Sequence, residues 1–211
     1  MKLINKITFI IIFLFANVNA FGAVSSLVGQ KNWGTGEQRQ PTGVLFNPDG
    51  TKMYSTGTVQ NKIYMYNLTT PFTVTSATYS SKTCNLTGEN DALMFRFNSD
   101  GTAMFVLDTA TTETIDKYSL TTAYDISTCS IVAGSPQDFG GGMEMRSFSF
   151  SNDGNKIFIF DQDGNNEKHS IKEYSLASSF DLSNPTLVTE HVGHNSDLNS
   201  IRSEERRVGK E

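Results

Sequence analysis

The chain has 211 residues, of which 37% are hydrophobic and 18% are charged, and its formal net charge at pH 7 is −5. The apolar content is enough to bury a core, and the length allows one large all-β domain or two smaller domains. Two cysteines are too few for a disulfide-rich scaffold, and the acidic balance argues against nucleic acid as a partner.

Residues 1–20 have the layout of a secretory signal peptide. Lys2 and Lys6 precede an apolar run from Ile7 to Phe15, and Val18-Asn19-Ala20 places small residues before a cleavage site after Ala20. A membrane anchor is the alternative, but the run is shorter than the ~20 residues that span a bilayer. We therefore expect export to the periplasm, the cell surface or the medium, with no membrane span after cleavage.

A nine-residue stretch occurs three times in the remaining chain. It combines an aromatic residue, two small or polar residues, Asp-Gly and a second apolar run, and its copies begin at Phe46, Phe97 and Phe150. Asp-Gly between apolar runs predicts a tight hairpin, since Gly adopts positive φ at low cost and Asp bonds the turn backbone. The three copies lie 51 and 53 residues apart, a period typical of propeller blades.

Two further motifs recur between the Asp-Gly turns. An Ile-x-x-Tyr-x-Leu pattern begins at Ile63, Ile115 and Ile171, and an aromatic-x-aliphatic-Ser/Thr pattern begins at Phe72, Tyr124 and Phe180. Each copy then ends in a strand rich in Thr, Ser and Val. Four short antiparallel strands per repeat predict an all-β fragment of a β-propeller, with three four-stranded blades at about 41–87, 91–139 and 145–193. The recurring aromatic residues are expected to fill the spaces between blades.

The predicted partial propeller covers residues 21–201, including the start of a fourth blade at 197–201. The last ten residues, 202–211, resemble the conceptual translation of a sequencing adapter, and a native solvated tail is the alternative. Six of the 17 basic and three of the 22 acidic residues lie in the two ends, so the rest of the chain carries a net charge of −8. This charge argues against nucleic acid or an anionic surface as a partner.

In these motifs the chain resembles bacterial exported β-propellers. Their blades read approximately Gly-Ile-x-Phe-x-x-Asp-Gly-Thr-Lys-Met-Tyr and then Ile-Tyr-x-Tyr-x-Leu-Ser-Thr-Pro-Phe, and the segment from Gly43 to Phe72 matches this pattern best. The resemblance covers residues 24–201 and implies a parent of about seven blades and roughly 400 residues. No catalytic residue set accompanies the pattern, so the resemblance implies a binding platform.

The two cysteines leave their pairing open. Cys84 and Cys129 occupy opposite ends of equivalent strands in successive repeats. This placement allows a disulfide bond but does not require one.

The loops between successive blades carry the candidate ligand-binding residues, which are Glu37, Glu89, Asn90, Asp91 and Glu144. Side chains of this kind near a channel mouth could chelate a cation or hold a sugar. They could equally cap turns by accepting hydrogen bonds from backbone amides, and this structural role is favoured.

The third repeat has a longer loop than the others between its second and third strands. From the Gly of the Asp-Gly turn to the Ile of the third strand there are 17 residues, compared with 13 and 14 in the other copies. Asp161, Asp163 and Glu167 offer hard oxygen ligands around a Gly turn, which suits calcium. A solvated turn is the favoured explanation, so the sequence requires no cofactor.

Two functions follow from these residues. The favoured one is a non-catalytic binding module for a protein or glycan. The alternative is a metal-dependent hydrolase of the lactonase or esterase type with its site at the channel mouth, although the chain has no Gly-x-Ser-x-Gly nucleophile motif. The sequence does not specify the oligomeric state.

Overall fold

The computed structural model describes residue 30 and the ranges 40–86, 92–109, 113–139, 144–163 and 168–194. These residues form three four-stranded antiparallel sheets, and in each sheet the hydrogen-bonded neighbours follow chain order. The predicted all-β fold of three four-stranded blades is therefore confirmed. The predicted signal peptide, the start of a fourth blade and the terminal tail lie outside the described residues.

Each blade consists of four consecutive strands. Blade 1 contains β1 (Pro41–Phe46), β2 (Lys52–Gly57), β3 (Lys62–Leu68) and β4 (Ala77–Asn85). Blade 2 contains β5 (Ala92–Phe97), β6 (Ala103–Asp108), β7 (Thr114–Leu120) and β8 (Cys129–Ile131). Blade 3 contains β9 (Glu144–Phe150), β10 (Lys156–Gln162), β11 (Lys168–Ser175) and β12 (Thr186–His194). Within the described ranges, no helix has both the length and the apolar character needed to cross a membrane.

The predicted hairpins form between the first and second strands of each blade. In blade 1, Asp49 Oδ1 accepts hydrogen bonds from the Thr51 backbone N–H at 2.9 Å and the Thr51 hydroxyl at 2.6 Å. The Asn47 side chain accepts from the Lys52 N–H at 2.8 Å, which closes the turn from the other side. Gly50 has a φ of +70°, in the left-handed region that favours glycine.

The aromatic residue of the second motif packs directly on the glycine of the first. Phe72, Tyr124 and Phe180 cover Gly50, Gly101 and Gly154 respectively, and a Cβ built on any of these glycines would lie 2.3–2.4 Å from a ring carbon. The N–H of each aromatic residue donates to the carbonyl of its glycine at 2.8–3.0 Å. Glycine is therefore required at these positions because φ is positive and because a Cβ would clash with the aromatic ring.

Aromatic rings also join the blades, as predicted. Tyr54 of blade 1 lies against Phe97 of blade 2 with ring centroids 5.0 Å apart, and Phe105 of blade 2 lies 4.7 Å from Phe150 of blade 3. The Tyr54 hydroxyl donates to the Tyr124 carbonyl at 2.7 Å, so this buried polar group is satisfied across the same interface.

A disulfide bond links the outer strands of blades 1 and 2. Cys84 of β4 bonds to Cys129 at the start of β8, with 5.9 Å between their Cα atoms. Lys82 and Asp125 form an ion pair beside it. In the chain-entropy account, closing a loop of 45 residues contributes about 4 kcal/mol to stability. The pairing that the sequence left open is thus formed in the structure.

The outer face of blade 3 differs in exposure from the same face of blades 1 and 2. Ile63 and Ile115 are 0% exposed, whereas the equivalent Ile171 is 51% exposed. Phe160, which pairs with Ile171 across β10 and β11, is 37% exposed. Blades 1 and 2 cover this face by stacking on the following blade, and blade 3 has no described segment in that place.

Candidate functional site

The loops predicted to carry ligand sites lie at one end of the blades. Ala92, at the start of β5, pairs with Asp108 at the end of β6, and Asp108 pairs with Thr114 at the start of β7. Glu144, at the start of β9, likewise pairs with Gln162 at the end of β10. First strands and third strands thus begin at the same end, where second strands finish. We call this end the loop face and define it by Asp108, Glu113, Glu144 and Asp161.

Glu144 is the predicted ligand residue that the structure describes. It is the first residue of β9, its side chain is 46% exposed, and it forms an ion pair with Arg146. Glu37, Glu89, Asn90 and Asp91 lie outside the described residues. The ligand-binding role of these five residues stays a prediction.

Glu113 connects blade 2 to blade 3 at the loop face. Its Oε2 accepts a hydrogen bond from the backbone N–H of Met145, the second residue of β9. Burial raises the pKa of the Glu113 carboxyl, the Met145 hydrogen bond opposes this shift, and the nearby Glu144 and Asp161 carboxylates add to it. The sequence did not single out Glu113, because nothing in its own repeat shows that it reaches the next blade.

Asp161 forms a buried ion pair with Lys172. The Lys172 Nζ lies 2.6 Å from Asp161 Oδ2, and the two side chains are 6% and 2% exposed respectively. Burial alone would lower the pKa of Lys172, but the Asp161 carboxylate raises it above its usual value. The Asp161 carboxylate therefore already has a cationic partner.

The predicted calcium ligands are only partly described. Asp161 is bound to Lys172, Asp163 closes the end of the β10–β11 hairpin by donating its backbone N–H to the Lys168 carbonyl at 3.0 Å, and Glu167 lies outside the described residues. In the described part of the chain, no three His, Cys, Asp or Glu residues stand close enough together to hold a metal ion. Calcium binding by this loop stays a prediction.

Two buried aspartates of blade 2 were also missed from the sequence. Asp108 and Asp116 are each 8% exposed, and burial together with the Asp108 charge raises the pKa of Asp116 to about 6. A signal was present, because aligning the repeats places Asp108 on Asp161 and Asp116 on Lys172. The repeat pattern is defined by its apolar positions, and these polar residues lie between them.

Two cavities lined by described residues lie away from the loop face. One of about 220 Å³ lies between blades 2 and 3 at the hairpin end, lined by residues that include Arg96, Phe97 and Phe180. Another of about 110 Å³ lies beside Lys117 and Asp181, between the outer parts of the same blades. Neither has the acidic lining of the loop face.

Solved structures with a similar fold include lactonases and a β-propeller domain. The periplasmic gluconolactonase of Pseudomonas aeruginosa is 15% identical with a TM-score of 0.50, and the match covers 71% of this chain and 39% of that one. A Bacteroides uniformis protein assigned as a 6-phosphogluconolactonase is 13% identical with a TM-score of 0.48, covering 69% of this chain and 38% of that one. The β-propeller domain of Swd1 from Myceliophteria thermophila is 14% identical with a TM-score of 0.44, covering 71% and 42%.

These likenesses concern the fold. The chain spans less than half of the length of the three structures. No protein-family profile matches the chain, and no curated protein matches it. The propeller architecture is therefore shared with known proteins, and the activity of any one of them does not transfer at this level of identity.

Proposed function

We propose that the chain is part of an exported β-propeller that serves as a binding module for a protein or glycan through its loop face. The proposal of export rests on the signal-peptide layout of residues 1–20. The resemblance to exported bacterial propellers, carried by the Asp-Gly and Ile-x-x-Tyr-x-Leu motifs, supports the same assignment.

One observation favours binding over catalysis. Each described carboxylate of the loop face between blades 2 and 3 already bonds to the protein: Glu113 to the Met145 N–H, Glu144 to Arg146 and Asp161 to Lys172. A catalytic acid or base needs a carboxyl group that reaches the substrate. Carboxylates fixed in this way instead hold the loop face rigid, which suits recognition because little order has to be gained on binding.

Charge narrows the class of partner. The chain without its two ends carries a net charge of −8, which disfavours nucleic acid and favours a protein with a basic surface or a neutral glycan. The partly exposed Glu144 is the residue of this surface most available to such a partner.

The hydrolase alternative requires a metal at the channel mouth that activates water for lactone or ester hydrolysis. The fold is compatible with this chemistry, but no described residue favours it over binding. It remains the competing hypothesis that the experiment must separate from the first.

The test uses the complete reading frame with two matched charge reversals. Glu144→Lys changes the loop face, and Glu173→Lys changes a carboxylate that is also in an ion pair of blade 3, with Lys156. Surface ion pairs contribute only about 0–1 kcal/mol, so both variants are expected to fold. Binding is measured by glycan array and by quantitative mass spectrometry of proteins captured on the immobilised propeller.

We expect a partner that binds the wild type and the Glu173→Lys variant but does not bind the Glu144→Lys variant. The same preparations are tested for hydrolysis of lactones and esters with added metal ions. Turnover by the wild type, with no partner distinguishing the two variants, would replace the binding proposal with the hydrolase.

A further inference from the structure

Two buried aspartates are neighbours in the interface between blades 1 and 2. In the pairing of β6 with β7, Val106 lies opposite Asp116 and Asp108 lies opposite Thr114, so the aspartates are diagonal neighbours on one face of the sheet. Val106, on the same face, belongs to the core cluster that blade 2 shares with blade 1. Each aspartate is 8% exposed, so the pair lies largely out of solvent.

The same two positions of blade 3 hold a carboxylate and a cation. Asp161 lies seven residues after Gly154, as Asp108 lies seven residues after Gly101. Lys172 occupies the position of Asp116, and its Nζ is 2.6 Å from Asp161 Oδ2. This part of the blade therefore accommodates a positive charge between the two strands, which blade 3 provides from its own lysine.

In blade 2 the position of Lys172 is taken by a second aspartate, Asp116. Asp116 Oδ1 is buried and has no hydrogen-bond partner. Burying a carboxylate without a partner is costly, and the cost rises with a second carboxylate beside it. A cation at this point would remove the repulsion.

We infer that Asp108 and Asp116 bind a hard divalent cation, calcium or magnesium, between blades 1 and 2. Carboxylate oxygens are the ligands that these ions prefer, and water completes their coordination. The Thr56 hydroxyl donates to the Ala92 carbonyl at 3.4 Å at this end of the interface, so further oxygen atoms lie on the opposing strands. The ion would take the place that the Lys172 ammonium fills in blade 3 and would join two blades.

The test measures retention of calcium and of magnesium by the full chain at pH 7.5, using equilibrium dialysis with elemental analysis. Asp116→Asn removes one ligand charge, and Asp116→Lys supplies the cation that blade 3 already has. Asp163→Asn is the control, because it removes a carboxylate from the third-blade loop predicted from the sequence to bind calcium. Thermal unfolding with each ion and with chelator reports folding of every variant.

We expect the wild-type chain to bind one ion, and Asp116→Asn to bind it with an affinity at least about tenfold lower. Asp116→Lys should bind no ion, and Asp163→Asn should bind it as the wild type does. In chelator, Asp116→Asn should unfold at a higher temperature than the wild type. Calcium or magnesium should raise the midpoints of the wild type and of Asp163→Asn, and should have less effect on the two Asp116 variants. Either no retained ion at millimolar concentration, or an ion lost with Asp163→Asn and kept by Asp116→Asn, would overturn the assignment. A midpoint that rises on acidification equally with and without ion would show a shared proton in place of the metal.

Discussion

Replacing Gly101 with alanine should destabilise the chain more than an ordinary glycine substitution. Gly101 has a φ of +74°, and an added Cβ would lie 2.4 Å from the ring of Tyr124. The left-handed conformation costs a non-glycine residue about 1–2 kcal/mol. Displacing the ring also weakens its contact with Phe97, at 5.3 Å between centroids, and such aromatic contacts contribute about 0.5–1.5 kcal/mol. We therefore expect a loss of about 2–3 kcal/mol.

Gly134 provides the matched control. Its φ is +73°, almost the value of Gly101, but nothing lies within 4 Å of a Cβ placed there. Gly134→Ala should therefore show the backbone cost alone, about 1–2 kcal/mol. Urea unfolding followed by circular dichroism gives both free energies of unfolding, with the disulfide intact.

A third variant separates the ring contact from other effects. In a Tyr124→Ala background the ring that Gly101→Ala would meet is gone, so the glycine substitution should cost no more than Gly134→Ala does. If Gly101→Ala and Gly134→Ala cost the same in the wild-type background, the ring does not enforce glycine, and the proposed coupling of the two repeat motifs is wrong.

Three further predictions concern the outer face of blade 3, the disulfide bond and the ion pair of Asp125. The chain should self-associate through the outer face of blade 3, because Ile171 on that face is 51% exposed. Ile171→Glu should shift the sedimentation velocity profile towards monomer, and an unchanged profile would contradict this prediction. Reducing the Cys84–Cys129 bond should lower the free energy of unfolding by up to about 4 kcal/mol, whereas a double serine variant should not respond to reductant. Burial raises the pKa of Asp125, but hydrogen bonds from Lys82 and Ser127 lower it overall, so its stabilisation is present at neutral pH and lost as pH falls below 3.8. The difference in unfolding free energy between wild type and Asp125→Asn should accordingly shrink below that pH, and a constant difference would exclude the ion pair as its source.

The strand order could be predicted from the sequence because the relevant signals are local. Each Asp-Gly turn fixes one hairpin, and its glycine, aspartate and flanking apolar residues lie within nine positions. Strand length was less predictable. In the third repeat, β12 extends from Thr186 to His194 because it pairs with β11 as far as Lys168. The extent of a strand is set by its partner, which propensity does not describe.

The disulfide bond shows why contacts between blades could not be predicted in the same way. Cys84 and Cys129 lie at opposite ends of equivalent strands, and in two parallel copies of one sheet they would be far apart. In the structure β4 runs past the turn that precedes β8, as the pairing of Lys82 with Asp125 also shows. Sheet twist rotates the outer strand across its neighbour, so the contact depends on the angle between strands as well as on register.

Positions at the hairpin end hold the same kind of residue in all three repeats, whereas positions at the loop end differ between repeats. This difference supports placing function at the loop face. At the hairpin end, every copy keeps the glycine with positive φ and the aromatic ring that covers it, because the turn cannot form otherwise. At the loop end, the same pair of positions holds Gly57 and Tyr64 in blade 1, Asp108 and Asp116 in blade 2, and Asp161 and Lys172 in blade 3. No turn geometry fixes the residue type at these positions, so their chemistry differs between the blades. A propeller that recognises a ligand needs such freedom at one end of its blades and a fixed scaffold at the other.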